Sequence, residues 1–177
     1  MFLVRLPRRG SRAVPGRLTD STEREQAMTD EQRMVEEFHR RFQILVGTTP
    51  AVPDESTQRL RVRLIQEEFD ELKEALSKRD TAAVAKELAD LLYVVYGTAV
   101  SCGIDMESVF REVHRSNLSK VGGHKREDGK WVKPSWYSPA HLGPILAAQA
   151  ASTGDASRAV ADQVRSESVT ATKGEHA

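Results

Sequence analysis

The chain has 177 residues, 26 of them basic and 26 acidic. That length suits one domain with tails and allows a real core, while the balanced charge excludes the global field expected of a protein that binds nucleic acid or an anionic membrane. Cys102 stands alone, which excludes an internal disulfide and fits a reducing, cytoplasmic compartment.

Residues 1–27 are rich in Arg, Pro, Gly and Ser, with no sustained apolar run after the Met1-to-Leu6 stretch. The composition predicts a disordered extension rather than a secretory signal, with Met1 and Met28 as rival starts. Thr29 or Asp30 then caps a helix running to about Leu45, with Met34, Val35, Phe38, Phe42 and Leu45 on one face. A loop with Gly47, Pro50 and Pro53 ends it. The second helix is expected from about Glu55 to Ser77, where Ile65, Phe69, Leu72 and Leu76 repeat at helical spacing beside a stripe of Leu64, Glu68, Glu71 and Ala75. Asp80 or Thr81 caps the third, which carries no charge from Leu91 to Ile104 and is apolar on nearly all sides. Such a helix is central to a bundle or buried at a subunit interface. Gly103 closes it, and Asp105 caps a fourth helix to about Lys120, stopped by Gly122-Gly123.

Residues 124–133 then place Asp128-Gly129 as a two-residue turn, predicting a short hairpin. A lone hairpin is marginal in water, so it must rest on the helices or be ordered by a ligand. Lys125, Lys130 and Lys133 on it are either phosphate contacts or solvated surface charge. Trp131, Trp136 and Tyr137 either stack on a base or pack the hairpin. From residue 147 large apolar side chains cease, and a disordered tail is expected over 147–177. The fold class is therefore all-α, a four-helix bundle over residues 28–146 with a short C-terminal hairpin, expected as an oligomer.

Two acidic clusters stand out in this frame, Glu67-Glu68-x-x-Glu71 and Glu87-x-x-Asp90. Positions three apart share a helix face, so each cluster aims carboxylates at one place, where they repel unless a cation intervenes. On their own helix, Glu68, Glu71 and Glu87 have no basic residue three or four positions away, and Asp90 has only Lys86. Two readings stay open on the residues alone. One is a divalent metal site bordering the core; the other is a salt-bridged or solvated acidic face, with Arg59, Arg61 or Arg63 reaching across. The five histidines, among them His39, His114 and His124, show no zinc-ligand spacing.

Glu68-x-x-Glu71, fifteen intervening residues, Glu87-x-x-Asp90, then Asn117-x-x-Lys120 on the next helix resembles the all-α nucleoside triphosphate pyrophosphohydrolases. The stretch His114-Arg115-Ser116-Asn117-Leu118-Ser119-Lys120, with Asp-Gly-Lys and Tyr-Ser-Pro downstream, is most similar to the small MazG-like and phosphoribosyl-ATP-pyrophosphohydrolase-like members. The likeness covers roughly residues 30–142 and neither tail.

This resemblance implies a MazG-like bundle in which Glu68, Glu71, Glu87 and Asp90 bind Mg²⁺, with Mn²⁺ as a substitute. It implies Glu67 and Glu68 as catalytic groups that help hold an ion or activate water, and cleavage of a nucleoside triphosphate to a monophosphate and pyrophosphate. Asn117, Lys120, Arg115, Lys130, Lys133 and Tyr137 are the candidate substrate contacts. The implied assembly is a homodimer or homotetramer, without nucleic acid or membrane partners. Two alternatives are a phosphoribosyl-ATP pyrophosphohydrolase and a non-catalytic helical interaction module.

Overall fold

Four of the described helices are each opened by a side-chain oxygen that accepts from their first free N–H groups. The computed structural model describes residues 28–154, so the expectations for 1–27 and for the tail beyond 154 fall outside the described residues. Helix α1 (Asp30–Arg41) is capped by the Thr29 hydroxyl, which accepts from the Gln32 N–H at 3.2 Å. Asp54 caps α2 (Glu55–Lys78), accepting from the N–H groups of Ser56 and Thr57. Asp80 caps α3 (Thr81–Ser101) and Asp105 caps α4 (Met106–Leu118) in the same way.

Helix α1 stops short of Leu45 because Gln43 takes a left-handed φ of 57° and turns the chain inward. The Leu45 carbonyl then accepts from His39 Nδ1 at 3.0 Å and from the Ser101 hydroxyl at 3.3 Å, an arrangement that a continued helix would forbid. The following connector lies backbone to backbone on the end of α3: Gly47 N–H donates to Val100 O and Ala51 N–H to Cys102 O, both at 2.9 Å. A Cβ at Gly47 would collide with the Gly103 nitrogen, and one at Gly103, where φ is +66°, would lie 2.5 Å from Thr49 O.

Helix α3 is the hub, packing along α2 and against α1. Val35, Leu72, Ala75, Ala99 and Val100 form the buried apolar centre. The chain bends by 113° between α3 and α4. Two amides hold that corner from opposite sides. Gln32, 1% exposed, donates to Ile104 O and accepts from Met106 N–H, while Gln149 accepts from Asp105 N–H and donates to Asp105 O and the Ser108 hydroxyl. No single described helix is long and apolar enough to cross a membrane.

The expected hairpin shrinks to one antiparallel bridge, Lys125 to Trp131, closed by Arg126 N–H to Lys130 O and Val132 N–H to His124 O. Pro134, which offers no N–H, follows immediately, and the chain turns back to run along α4. Residues 142–154 form a further helix, α5, which crosses the expected boundary at 146. Its run of alanines favours helix without large apolar side chains, and Gln149 docks it by hydrogen bonds.

Much apolar surface stays uncovered in the single chain. Met34, Phe38 and Phe42 on or just after α1 and Leu88, Leu92, Tyr93 and Val95 on α3 are all exposed, Leu92 by 57%. Phe38 packs on Phe42 and meets Tyr93 edge-on, so these three rings form one exposed aromatic cluster.

Candidate functional site

Three of the acids on α2 and α3 come together. Ligand oxygens of Glu68, Glu71 and Glu87 all lie within 4.8 Å of one another, with Glu87 buried, Glu68 half-buried and Glu71 exposed. Packing of α3 along α2 brings the two pairs face to face. The charge there is poorly compensated. Burial, followed by the neighbouring Glu71 and Asp90 carboxylates, holds the Glu68 carboxyl above its ordinary value.

Asp90 lies beside this trio under a different partner. The Lys86 ammonium sits 2.7 Å from Asp90 Oδ2 and 3.1 and 3.2 Å from the two Glu87 oxygens. Its hydrogen bonds to Asp90 and then Glu87 raise its pKa well above that of an ordinary lysine. Reading only positions three and four apart found Lys86 for Asp90 and missed it for Glu87, the adjacent residue, which the flexible lysine stem also reaches. The three arginines do not cross over: Arg59 pairs with Glu55, Arg63 with Glu67 at 3.7 Å, and Arg61 is buried. Glu67, 55% exposed, therefore points to Arg63 and stands outside the trio. An all-oxygen cluster of three carboxylates from two helices, one of them buried and one destabilised as an anion, fits a hard divalent cation.

The substrate candidates divide into two groups. Lys120 Nζ donates to Asn117 Oδ1 at 2.6 Å, and both side chains are exposed at the end of α4. Lys133 lies 4.2 Å over the Tyr137 ring, whose hydroxyl meets the Ser116 hydroxyl at 3.1 Å. That hydrogen bond, then the Lys133 charge, lowers the Tyr137 pKa. The Lys130 side chain is exposed on the turn. Arg115 is different. Its guanidinium holds both Glu112 oxygens at 2.7 and 2.8 Å, and it donates to the Ser138 hydroxyl and Pro139 O at 3.0 Å each. Glu112 in turn accepts from His141 N–H at 2.8 Å, and the Arg115 hydrogen bond followed by this one pulls its carboxyl down to about 2. Arg115 is thus a clamp between α4 and residues 138–141, with four of its five N–H donors in use.

One buried polar group escaped the sequence reading. His39 is 2% exposed, its pKa lowered by burial, and Arg61 is 6% exposed with Nε unpartnered. Both lie over Gly97, where a Cβ would come within 3.0 Å of His39 Nε2 and 3.1 Å of Arg61 Nη1. No motif spacing announces this pair, because its two members come from different helices and meet over a glycine of a third. Cys102, half-buried with burial raising its thiol pKa, matches the expected inert packing residue.

Residues 35–117 match the family described as phosphoribosyl-ATP pyrophosphohydrolase. No curated protein matches the chain. The matched segment runs from within α1 to near the end of α4 and so contains the trio, Lys86, Asp90, Arg115 and Asn117. Residues 35–117, with their facing acidic pairs, are thus a domain of the MazG-like all-α nucleoside triphosphate pyrophosphohydrolase superfamily, whose members are hydrolases of phosphoric anhydrides.

Proposed function

We propose that this protein is a Mg²⁺-dependent nucleoside triphosphate pyrophosphohydrolase, releasing a nucleoside monophosphate and pyrophosphate. The observation that carries the proposal is the convergence of Glu68, Glu71 and Glu87 from two helices onto a volume a single cation spans. At neutral pH these groups, Asp90 and a triphosphate bring together about eight negative charges, which demand cations. Bound Mg²⁺ would offset that charge and polarise a water for attack on phosphorus. Of the two candidate bases, Glu68 lies in the trio while Glu67 is turned to Arg63, so Glu68 is assigned to take the proton from that water. Asn117 would hydrogen-bond the sugar or a phosphate, and Lys120 would neutralise phosphate once released from Asn117.

A second reading, phosphoribosyl-ATP as the substrate, is favoured by the description of the matched family. Incubation with a panel of nucleoside triphosphates and phosphoribosyl-ATP, with Mg²⁺ and pyrophosphate detection, separates the two. Pyrophosphate from neither would leave the non-catalytic interaction module. The lone cysteine supports a reducing, cytoplasmic setting.

The same reading includes assembly as a homodimer or homotetramer, supported by the uncovered face of Phe38, Phe42, Leu92 and Tyr93. Sedimentation at micromolar concentration is expected to show the oligomer, and Leu92→Glu to shift it to monomer. A wild-type monomer under those conditions would remove the claim.

A further inference from the structure

Lys86 precedes Glu87 by one residue and Asp90 by four, so on α3 its ammonium reaches both carboxylates. It already does so, at 3.1 and 3.2 Å to Glu87 and 2.7 Å to Asp90. These are oxygens a divalent cation would need, and one of them belongs to the trio with Glu68 and Glu71. An ammonium and a divalent ion cannot share carboxylate oxygens at such distances without strong repulsion. The Lys86 side chain is 63% exposed, so it is held by charge rather than by packing and can swing on its four-carbon stem.

We propose that Lys86 is an exchangeable counter-ion: it occupies Glu87 and Asp90 until a divalent cation displaces it, and its freed ammonium then binds a phosphate oxygen of the substrate. The proposal rests on the pyrophosphohydrolase reading for its substrate. No covalent bond changes and no proton moves, since Lys86 stays an ammonium throughout and exchanges one set of anionic oxygens for another. Lysine is suited to this because it binds phosphate as a point charge without a fixed fork geometry. The site therefore stays partly neutralised when empty, and cation and substrate binding favour each other.

The test uses the full chain and the variants Lys86→Met and Lys86→Arg, with Mn²⁺ titrated in the absence of nucleotide and followed by electron paramagnetic resonance. Methionine keeps length and helix preference without charge, and circular dichroism melting verifies the fold. Lys86→Met is expected to bind Mn²⁺ about fivefold more tightly, the scale of an exposed ion pair removed from competition. Lys86→Arg, which keeps the charge, is expected to stay near wild type. With Mg²⁺ present, Lys86→Met is expected to bind a non-hydrolysable nucleoside triphosphate severalfold more weakly. A purely structural lysine would not move the two affinities in opposite directions. Unchanged or weaker Mn²⁺ binding by Lys86→Met would overturn the exchange, as would absent Mn²⁺ binding by both proteins or undiminished triphosphate binding. Tighter Mn²⁺ binding in a protein that hydrolyses no triphosphate would overturn the activity reading and support the exchange.

Discussion

Glu68 on α2 and Glu112 on α4 are both glutamates on amphipathic helices, and their surroundings push them in opposite directions. Glu68 lies beside Glu71 on its own helix and faces Glu87 across the interface with α3, and it is held above its ordinary pKa by burial and by Glu71 and Asp90. Glu112 is held on both oxygens by Arg115, accepts a backbone N–H from His141, and is pulled down to about 2. Among the described residues Glu68 has no hydrogen-bonded cation, whereas Glu112 accepts three hydrogen bonds. The first arrangement costs stability in the absence of a cation, which is what a binding site requires; the second ties residues 138–141 to α4. An acidic residue beside a basic one at helical spacing is therefore poor evidence of function, and acids without a cation are better evidence.

The sharpest way to break this contrast is to remove a trio member. Glu71→Gln is expected to lower kcat for triphosphate hydrolysis by at least about a hundredfold, the scale set by loss of a metal ligand or its support. The melting temperature of the metal-free protein should stay level or rise, because a repulsion is relieved. A clear fall in that temperature, with turnover retained, would make the trio a structural network like that around Glu112.

Arg115→Ala probes the other region. Release of the clamp is expected to speed hydrogen exchange at the Ser138 and His141 amides roughly tenfold, through local opening rather than global unfolding. Mn²⁺ affinity should not change. Altered metal affinity would place Arg115 in the site and undo the division between the two regions.

The smallest effect is in pH dependence, and its sign differs between the two glutamates. The Glu68 pKa is raised in the folded chain, so below 4.5 both states are protonated and nothing is lost. Above 4.5 the unfolded chain ionises first, and metal-free stability falls until the folded pKa is passed. Glu112 behaves inversely: its contribution is complete above 4.5 and disappears as pH falls from 4.5 to about 2. Melting curves of wild type against Glu112→Gln below pH 4.5 and against Glu68→Gln above it should diverge with opposite slopes. Parallel curves would show that neither environment is as drawn, and added Mg²⁺ should flatten only the Glu68 difference.

What the sequence disclosed follows the range of the forces involved. Caps at Thr29, Asp80 and Asp105 act over two or three residues, and the starts of α1, α3 and α4 were legible from them. Glu68, Glu71 and Glu87 were legible because two helical spacings and one short connection bring them together. The Arg115 clamp was not legible because its partners Ser138 and Pro139 lie more than twenty residues downstream. The fifth helix was hidden because Gln149 docks through amide hydrogen bonds at Asp105, which leave no apolar periodicity to read. His39 and Arg61 meet over Gly97 by tertiary packing alone.

The seam between the connector after α1 and the end of α3 has a consequence for how this chain can vary. Gly47 and Gly103 meet through main-chain atoms, so the seam is specified by the absence of side chains rather than by their fit. Neighbours such as Val52, 80% exposed, carry little of its specificity. A comprehensive substitution scan would then show two narrow intolerant columns, at 47 and 103, the first in an otherwise permissive stretch. Even alanine would be rejected at both, whereas bulky polar residues would pass a few positions away.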